Sequence, residues 1–200
     1  MAKLVHLVRH GEVHNPRHLV YASLPGFRLS PRGVRQTRQA GGYLAGRPLG
    51  AVWSSPLERA VQTAENLAAP HRLEVGVLPE LVEWRLMDRW AGHRWEEIPE
   101  LFPGEMETYL QQPSRLAFGP ETLPELAERI AGAVREAEAT VSDGEVAVVG
   151  HQDPIQAGRL LLTGRRLEDL FQNRPEHCSV VTLRPGDPWT EIGMWSPPSR

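Results

Sequence analysis

The feature that most limits the fold of this chain is the alternation of apolar strand-like runs with helices whose starts are marked. Ser30-Pro31, Ser55-Pro56 and Asp153-Pro154 each place a capping side chain directly before a proline at the first helical position. The stretches Ser55–Glu58 and Thr122–Glu125 also fit the capping box. This alternation predicts an α/β protein with three layers, α/β/α, around a mostly parallel central sheet.

Hydrophobic periodicity predicts the elements of this fold. Helices are predicted over 31–46, 56–68, 123–141 and 154–163, with shorter helical pieces at 94–102 and 105–112. Strands are predicted over 3–9, 50–54, 73–78, 145–150, 178–184 and 189–194. The stretch 81–120, with scattered prolines and three tryptophans, predicts a lid-like insertion of helices and loops over one side of the sheet. We expect a single domain over 1–195 and a flexible tail at 196–200.

Composition limits the partners of this domain. A chain of 200 residues with 40% hydrophobic and 24% charged residues can fill one core. A net charge of -3 gives no general attraction to nucleic acid or to an anionic membrane, so neither is expected as a partner. No signal-peptide or membrane-spanning stretch is visible, which favours a cytoplasmic protein; a homodimer is left open. Cys178, the only cysteine, excludes an internal disulfide and is expected to be a buried, inert thiol.

Arginine and histidine residues follow three of the predicted strands. Arg9 and His10 come at the end of the first strand, Arg59 lies in the first turn of the helix after the second, and His151 follows the strand 145–150. Ligands of an open α/β sheet bind outside the carboxyl ends of its strands. Two guanidinium groups and two imidazoles at this edge would form a cage for a dianionic phosphate, and an imidazole can attack phosphorus. The pattern predicts phosphoryl transfer.

A leaving alkoxide also needs a proton donor. Glu80, Glu83 and Glu12 are the candidates. Glu83 lies among apolar and aromatic residues, which would raise the pKa of its carboxyl and keep it protonated, so Glu83 is preferred.

Four segments resemble, in order and spacing, the signatures of the histidine phosphatase (phosphoglycerate mutase-like) superfamily. They are Leu7–Glu12, Ser54–Ala64, Leu81–Glu83 and Val148–His151. The resemblance spans almost the whole chain. It implies a phosphomonoester hydrolase that acts on a small phosphorylated metabolite and needs no metal and no cofactor.

The resemblance also implies a role for each matched residue. His10 would be the nucleophile that becomes a phosphohistidine, and Glu83 the acid that later activates water. Arg9, Arg59 and His151 would hold the phosphoryl oxygens.

Two further substrate contacts are predicted, Asn15 and Gln152. Asn15 comes one position earlier than the asparagine of the family pattern, and Val13 replaces the usual threonine. The segments 21–23 and 84–92 also depart from that pattern. These departures concern substrate selection more than phosphoryl chemistry.

A metal site is a competing interpretation of the first segment. His10, His14 and His18 recur at the spacing that lets a helix present several ligands on one face. Gly11 and Pro16 disfavour a helix there, so exposed loop histidines are expected instead.

Three questions about function stay open at this point. A phosphoglycerate mutase would return the phosphoryl group to its substrate, although mutases of this kind generally carry a longer insertion. A non-catalytic phosphate-binding module would lack the nucleophile or the acid, and this chain has both. The basic and tryptophan-rich segment 84–95 could select a nucleotide or sugar phosphate, but buried tryptophans beneath a solvated basic face are favoured.

Overall fold

A computed structural model describes residues 1–116 and 118–198. Six strands form one sheet in the order β3-β2-β4-β1-β5-β6. They are β1 (Leu4–Arg9), β2 (Leu49–Ser54), β3 (Val75–Val77), β4 (Glu145–Gly150), β5 (Val180–Arg184) and β6 (Thr190–Trp195). The first four strands are mutually parallel, while β5 and β6 run antiparallel to their neighbours. The predicted mostly parallel sheet is therefore confirmed.

Helices cover both faces of the sheet, as predicted. They are α1 (Pro31–Leu44), α2 (Glu58–Ala68), α3 (Ile98–Leu101), α4 (Glu105–Gln111), α5 (Leu123–Ala139) and α6 (Gln152–Leu162). Alternate residues of β1 point to opposite faces. Leu7 joins the core under α5 and α6, whereas Val8 joins the core under α1 and α2. The sheet thus lies between two apolar cores, which makes three layers.

Two of the predicted helix caps are confirmed and two are wrong. Ser30 accepts a hydrogen bond from the Gly33 amide (2.9 Å), and Thr122 forms the full capping box with Glu125. Ser55 does not cap α2, because this helix begins only at Glu58; the Ser55 hydroxyl lies 2.8 Å from His151 Nε2 and accepts a longer bond from the Leu57 amide (3.4 Å).

Asp153 is the second wrong cap. The helix α6 begins one residue before it, with His151 in the capping position, so Asp153 lies inside the first turn. Its carboxylate accepts hydrogen bonds from Tyr109 (2.5 Å) and Arg174 (3.3 Å) instead.

The segment 81–120 contains short 3-10 turns together with α3 and α4. Trp84 and Trp90 are fully buried in the core on the α5 side, while Arg85 and Arg89 are exposed. The interpretation as core tryptophans beneath a solvated basic face is confirmed for these residues. Trp95 differs, because 38% of it is exposed.

Two details complete the fold. Cys178 lies just before β5 rather than inside it, with φ +60°, and burial raises the pKa of its thiol to about 12. No helix within the described residues is long and apolar enough to cross a membrane. Residues 199–200 of the predicted tail lie outside the described residues.

Candidate active site

The central strands β1 and β4 bring two histidines to one edge of the sheet. Their register pairs Arg9 with Gly150, so the residues that follow each strand are neighbours. The His10 amide donates to the Gly150 carbonyl (3.0 Å), and the rings of His10 and His151 lie 5.2 Å apart between centroids. The predicted convergence of these residues is present.

The His10 ring has a defined orientation. Its Nδ1 lies 2.8 Å from the carbonyl oxygen of Gly11. A carbonyl can only accept, so Nδ1 carries the proton and Nε2 keeps a free lone pair. Burial, together with the charges of Arg59 and Arg9, holds the pKa of His10 well below its ordinary value. The imidazole is therefore neutral and nucleophilic at Nε2.

Two guanidinium groups flank this imidazole and are only partly satisfied by the protein. Arg9 donates to the Pro175 carbonyl (3.3 Å) and to His177 Nε2 (3.0 Å). Arg59 donates to the Ala22 carbonyl (2.7 Å). Within the described chain, Nε of Arg9 and Nε of Arg59 are buried and have no hydrogen-bond partner. Unpaired buried donors of this kind are costly unless an anion accepts from them.

His151 supplies a third unpaired nitrogen. Its Nε2 lies 2.8 Å from the Ser55 hydroxyl, which holds the ring, while Nδ1 is buried without a hydrogen-bond partner. Glu83 Oε2 lies 3.7 Å from this Nδ1. Burial and the nearby Arg59 and Arg9 charges lower the pKa of His151, so its ring is also neutral.

Glu83 is the carboxyl that the structure places at the site. Burial raises its pKa to about 7, although the Arg59 charge acts in the opposite direction. Glu80 is exposed, and Glu12 accepts hydrogen bonds from Ser30 and Arg32 beside α1. Of the three candidate acids, Glu83 alone lines the cavity described next.

Three of these groups, Arg9, His10 and Glu83, line a cavity of about 170 Å³, whereas Arg59 and His151 are not among its lining residues. Its lining residues are Arg9, His10, Val20, Tyr21, Ala22, Glu83, Met87, Trp95, Tyr109, Gln152 and Asp153. Gln152 is thus brought to the site. Asn15 is not among the lining residues, because its side-chain amide bonds to both backbone groups of Leu19.

The sequence interpretation missed three residues near the site. His177 lies with its ring 5.7 Å from that of His10, and Tyr21 packs its ring 4.7 Å from the Arg59 guanidinium. Tyr109 reaches the cavity from α4. A signal existed only for His177: it precedes β5, and the start of a strand antiparallel to β1 lies at the edge where β1 ends.

The residues of the competing metal interpretation do not form a helix. His14 and His18 are exposed on the loop after β1, and His18 has φ +54°. Among the described residues there is no group of three or more His, Cys, Asp or Glu side chains that could hold a metal ion.

A neutral imidazole between guanidinium groups, at the carboxyl edge of an α/β sheet, defines a site of the phosphoryl-binding class. Residues 5–196 match the family described as histidine phosphatase superfamily (branch 1), and the chain belongs to this superfamily.

Relatives and solved structures agree with this assignment. Uncharacterized protein Rv0525 of Mycobacterium tuberculosis is 39% identical over 186 residues, which cover 90% of this chain and 87% of that protein. Phosphoserine phosphatase 1 of Hydrogenobacter thermophilus is 32% identical over 187 residues, covering 92% and 86%. The structure of mycobacterial glucosyl-3-phosphoglycerate phosphatase Rv2419c with VO3 has the same fold, with a TM-score of 0.85 at 24% identity over 97% of this chain and 98% of that one.

Proposed function

We propose that this protein hydrolyses small phosphomonoesters through a phosphohistidine formed on His10. One observation carries the proposal: the Nδ1 hydrogen bond to Gly11 leaves the Nε2 lone pair of His10 free, in a cavity that is also lined by Arg9, whose buried Nε has no partner within the described chain. A neutral nucleophile among fixed cations suits attack on a dianionic phosphoryl group.

In the first step, His10 Nε2 bonds to phosphorus while the bond from phosphorus to the ester oxygen breaks. Protonated Glu83 gives its proton to the leaving oxygen, so the alcohol departs neutral. The Nε–H groups of Arg9 and Arg59 and the Nδ1–H of His151 donate to the phosphoryl oxygens. These donors are held in place before the reaction and stabilise the charge that spreads over the oxygens.

In the second step, the Glu83 carboxylate takes a proton from water as the water oxygen bonds to phosphorus. The bond between phosphorus and His10 Nε2 breaks, inorganic phosphate leaves, and Glu83 is protonated again. The charge stabilisation in both steps comes from side chains of this chain, so the proposed reaction needs no metal.

The segment 81–120 supplies Glu83, Met87, Trp95 and Tyr109 to the cavity wall, which supports its proposed role as a lid over the substrate. The cytoplasmic location and the homodimer stay predictions.

The test is hydrolysis of p-nitrophenyl phosphate by the purified protein in the presence of EDTA. We expect turnover with release of inorganic phosphate, and a protein-bound phosphate that is labile in acid and stable in alkali. His10→Ala should abolish both, because it removes the nucleophile. His14→Ala, an exposed histidine on the same loop, is the matched control and should behave as wild type.

Metal independence and covalent catalysis at His10 can be contradicted separately. Turnover that EDTA abolishes and a divalent ion restores would contradict metal-independent hydrolysis. Substantial turnover by His10→Ala would contradict covalent catalysis at this residue.

A further inference from the structure

Arg129 of α5 holds the segment that carries Glu83, although it does not line the cavity. Its Nη1 donates to the Glu80 carbonyl and to the Val82 carbonyl (3.2 Å), and its Nη2 donates to the Glu83 carbonyl (3.4 Å). Backbone carbonyls outside regular helices and strands need partners of this kind. One guanidinium group therefore fixes the backbone that leads up to the proposed acid.

Glu121 holds the guanidinium in this position. Its Oε1 accepts from Arg129 Nε (2.6 Å) and its Oε2 from Arg129 Nη2 (2.8 Å), which makes a bidentate pair. Only 12% of the Arg129 side chain and 6% of the Glu121 side chain are exposed. Glu121 also binds the chain after Glu83, because its Oε2 accepts from the Arg85 amide (3.2 Å) and its carbonyl from the Trp84 indole (3.0 Å). This ion pair thus holds the backbone on both sides of Glu83.

The peptide group between Glu83 and Trp84 links the ion pair to the catalytic carboxyl. Its carbonyl accepts from Arg129, while its N–H donates to Glu83 Oε1 (2.9 Å). A peptide group is planar, so a fixed carbonyl also fixes the direction of the N–H. Because Oε1 is occupied, Oε2, which lies 3.7 Å from His151 Nδ1, is the oxygen free to carry the proton.

We propose that Arg129 is a positioning residue for proton transfer, because it fixes the 83–84 peptide group that directs Glu83 Oε2 at the leaving oxygen and later at water. This inference rests on the proposed phosphatase activity and adds a residue outside the cavity to it. All five N–H groups of Arg129 are used within the protein, so none is left for the substrate. Arg129 should therefore affect proton transfer and leave phosphate binding unaltered.

Arg129→Lys separates this geometry from the charge of the side chain. A lysine keeps the positive charge beside Glu121, but it offers three donors on one nitrogen instead of five in a planar fork. It cannot bind both carboxylate oxygens and three carbonyls at once. The variant should therefore keep the ion pair and loosen the 83–84 peptide group.

The test measures phosphohistidine formation by rapid quench with ethyl phosphate and p-nitrophenyl phosphate, both labelled with radioactive phosphate. Ethoxide needs a proton to leave, whereas nitrophenolate does not. Arg129→Lys should slow the reaction of ethyl phosphate by about tenfold more than that of p-nitrophenyl phosphate, because a small displacement of a catalytic group is enough for such a loss. The half-saturating concentrations should not change. Arg135→Lys, an exposed arginine on the same helix, is the matched control and should keep the wild-type ratio.

A double variant shows whether Arg129 acts through Glu83. In the Glu83→Gln background, Arg129→Lys should not slow ethyl phosphate further, because the carboxyl that it positions is already absent. A misfolded fraction would instead lower the rates of both esters by the same factor. If Arg129→Lys does not fold, Arg129→Met with Glu121→Gln leaves no unpaired charge in the interior and keeps an acceptor for the Arg85 amide. The same shift in the ester ratio is expected.

The positioning role and the phosphatase activity fail in different ways. A wild-type ester ratio in Arg129→Lys, or additive losses in the double variant, would overturn the positioning role alone. No turnover of either ester by the wild-type protein would overturn the phosphatase itself.

Discussion

Glu83 shows how one position tunes the proposed reaction. Its carboxyl is buried in the cavity wall, and its pKa of about 7 leaves both protonation states populated near neutral pH. A group that first gives a proton and later takes one needs this balance. An exposed glutamate of ordinary pKa would be almost entirely ionised and could not serve as the acid.

We predict that Glu83→Gln slows alkyl phosphates more than p-nitrophenyl phosphate in the formation of the phosphohistidine. The nitrophenolate leaves without a proton, whereas an alkoxide does not. Attack by water should be slowed for both esters, so the variant should show a burst of nitrophenolate followed by slow turnover. Rapid-mixing kinetics measures the burst, with exposed Glu80→Gln as the control. Wild-type turnover of an alkyl phosphate by Glu83→Gln would place the acid elsewhere.

The predicted site residues that the structure brings together share one property. Arg9, His10 and His151 follow parallel strands whose neighbours can be inferred, and Arg59 lies in the first turn of the helix that follows β2. Tyr109 was missed because its helix follows no strand of the sheet, so its position relative to the strand ends depends on how the segment 81–120 packs.

The helix starts differ in whether nearby residues alone determine where the helix begins. Thr122 was predicted correctly because its partners lie within three residues, so the capping box needs no tertiary context. Ser55 was predicted wrongly because His151, which is 96 residues away, takes its hydroxyl. The shorter bond of this hydroxyl is the one to the buried ring, and α2 begins three residues further along, at Glu58.

These two serine and threonine positions should respond differently to the same change. Thr122→Ala should lower the free energy of unfolding by about 1 kcal/mol and leave kcat unaltered, because Thr122 is exposed and does not line the cavity. Ser55→Ala should lower kcat by releasing the His151 ring. Urea denaturation and steady-state kinetics on both variants measure the contrast. A normal kcat in Ser55→Ala would contradict the positioning role of this hydroxyl.

Among the described residues, four histidines are held neutral by the folded structure. Burial lowers the pKa of His6, His10, His151 and His177, the last to about 3. In the unfolded chain they would bind protons below about 6.5, their ordinary value. The stabilisation from these residues is therefore present above that pH and is lost as the pH falls toward their folded values. The raised pKa of Glu83 acts the other way, because the folded protein binds a proton there that the unfolded chain releases. This one proton offsets only one of the four that the histidines bind on unfolding.

We predict that the free energy of unfolding falls as the pH is lowered from 6.5 to 5.5. Each histidine that protonates only on unfolding adds up to roughly 1.4 kcal/mol per pH unit to this slope. His6 is the best one to remove, because its ring contacts Glu145 and Thr182 at the edge of the sheet away from the active site. His6→Gln should be less stable at neutral pH and should have a shallower slope, whereas exposed His18→Gln should keep the wild-type slope. Urea midpoints across this range measure both; equal slopes in wild type and His6→Gln would mean that His6 binds its proton in the folded state as readily as in the unfolded chain.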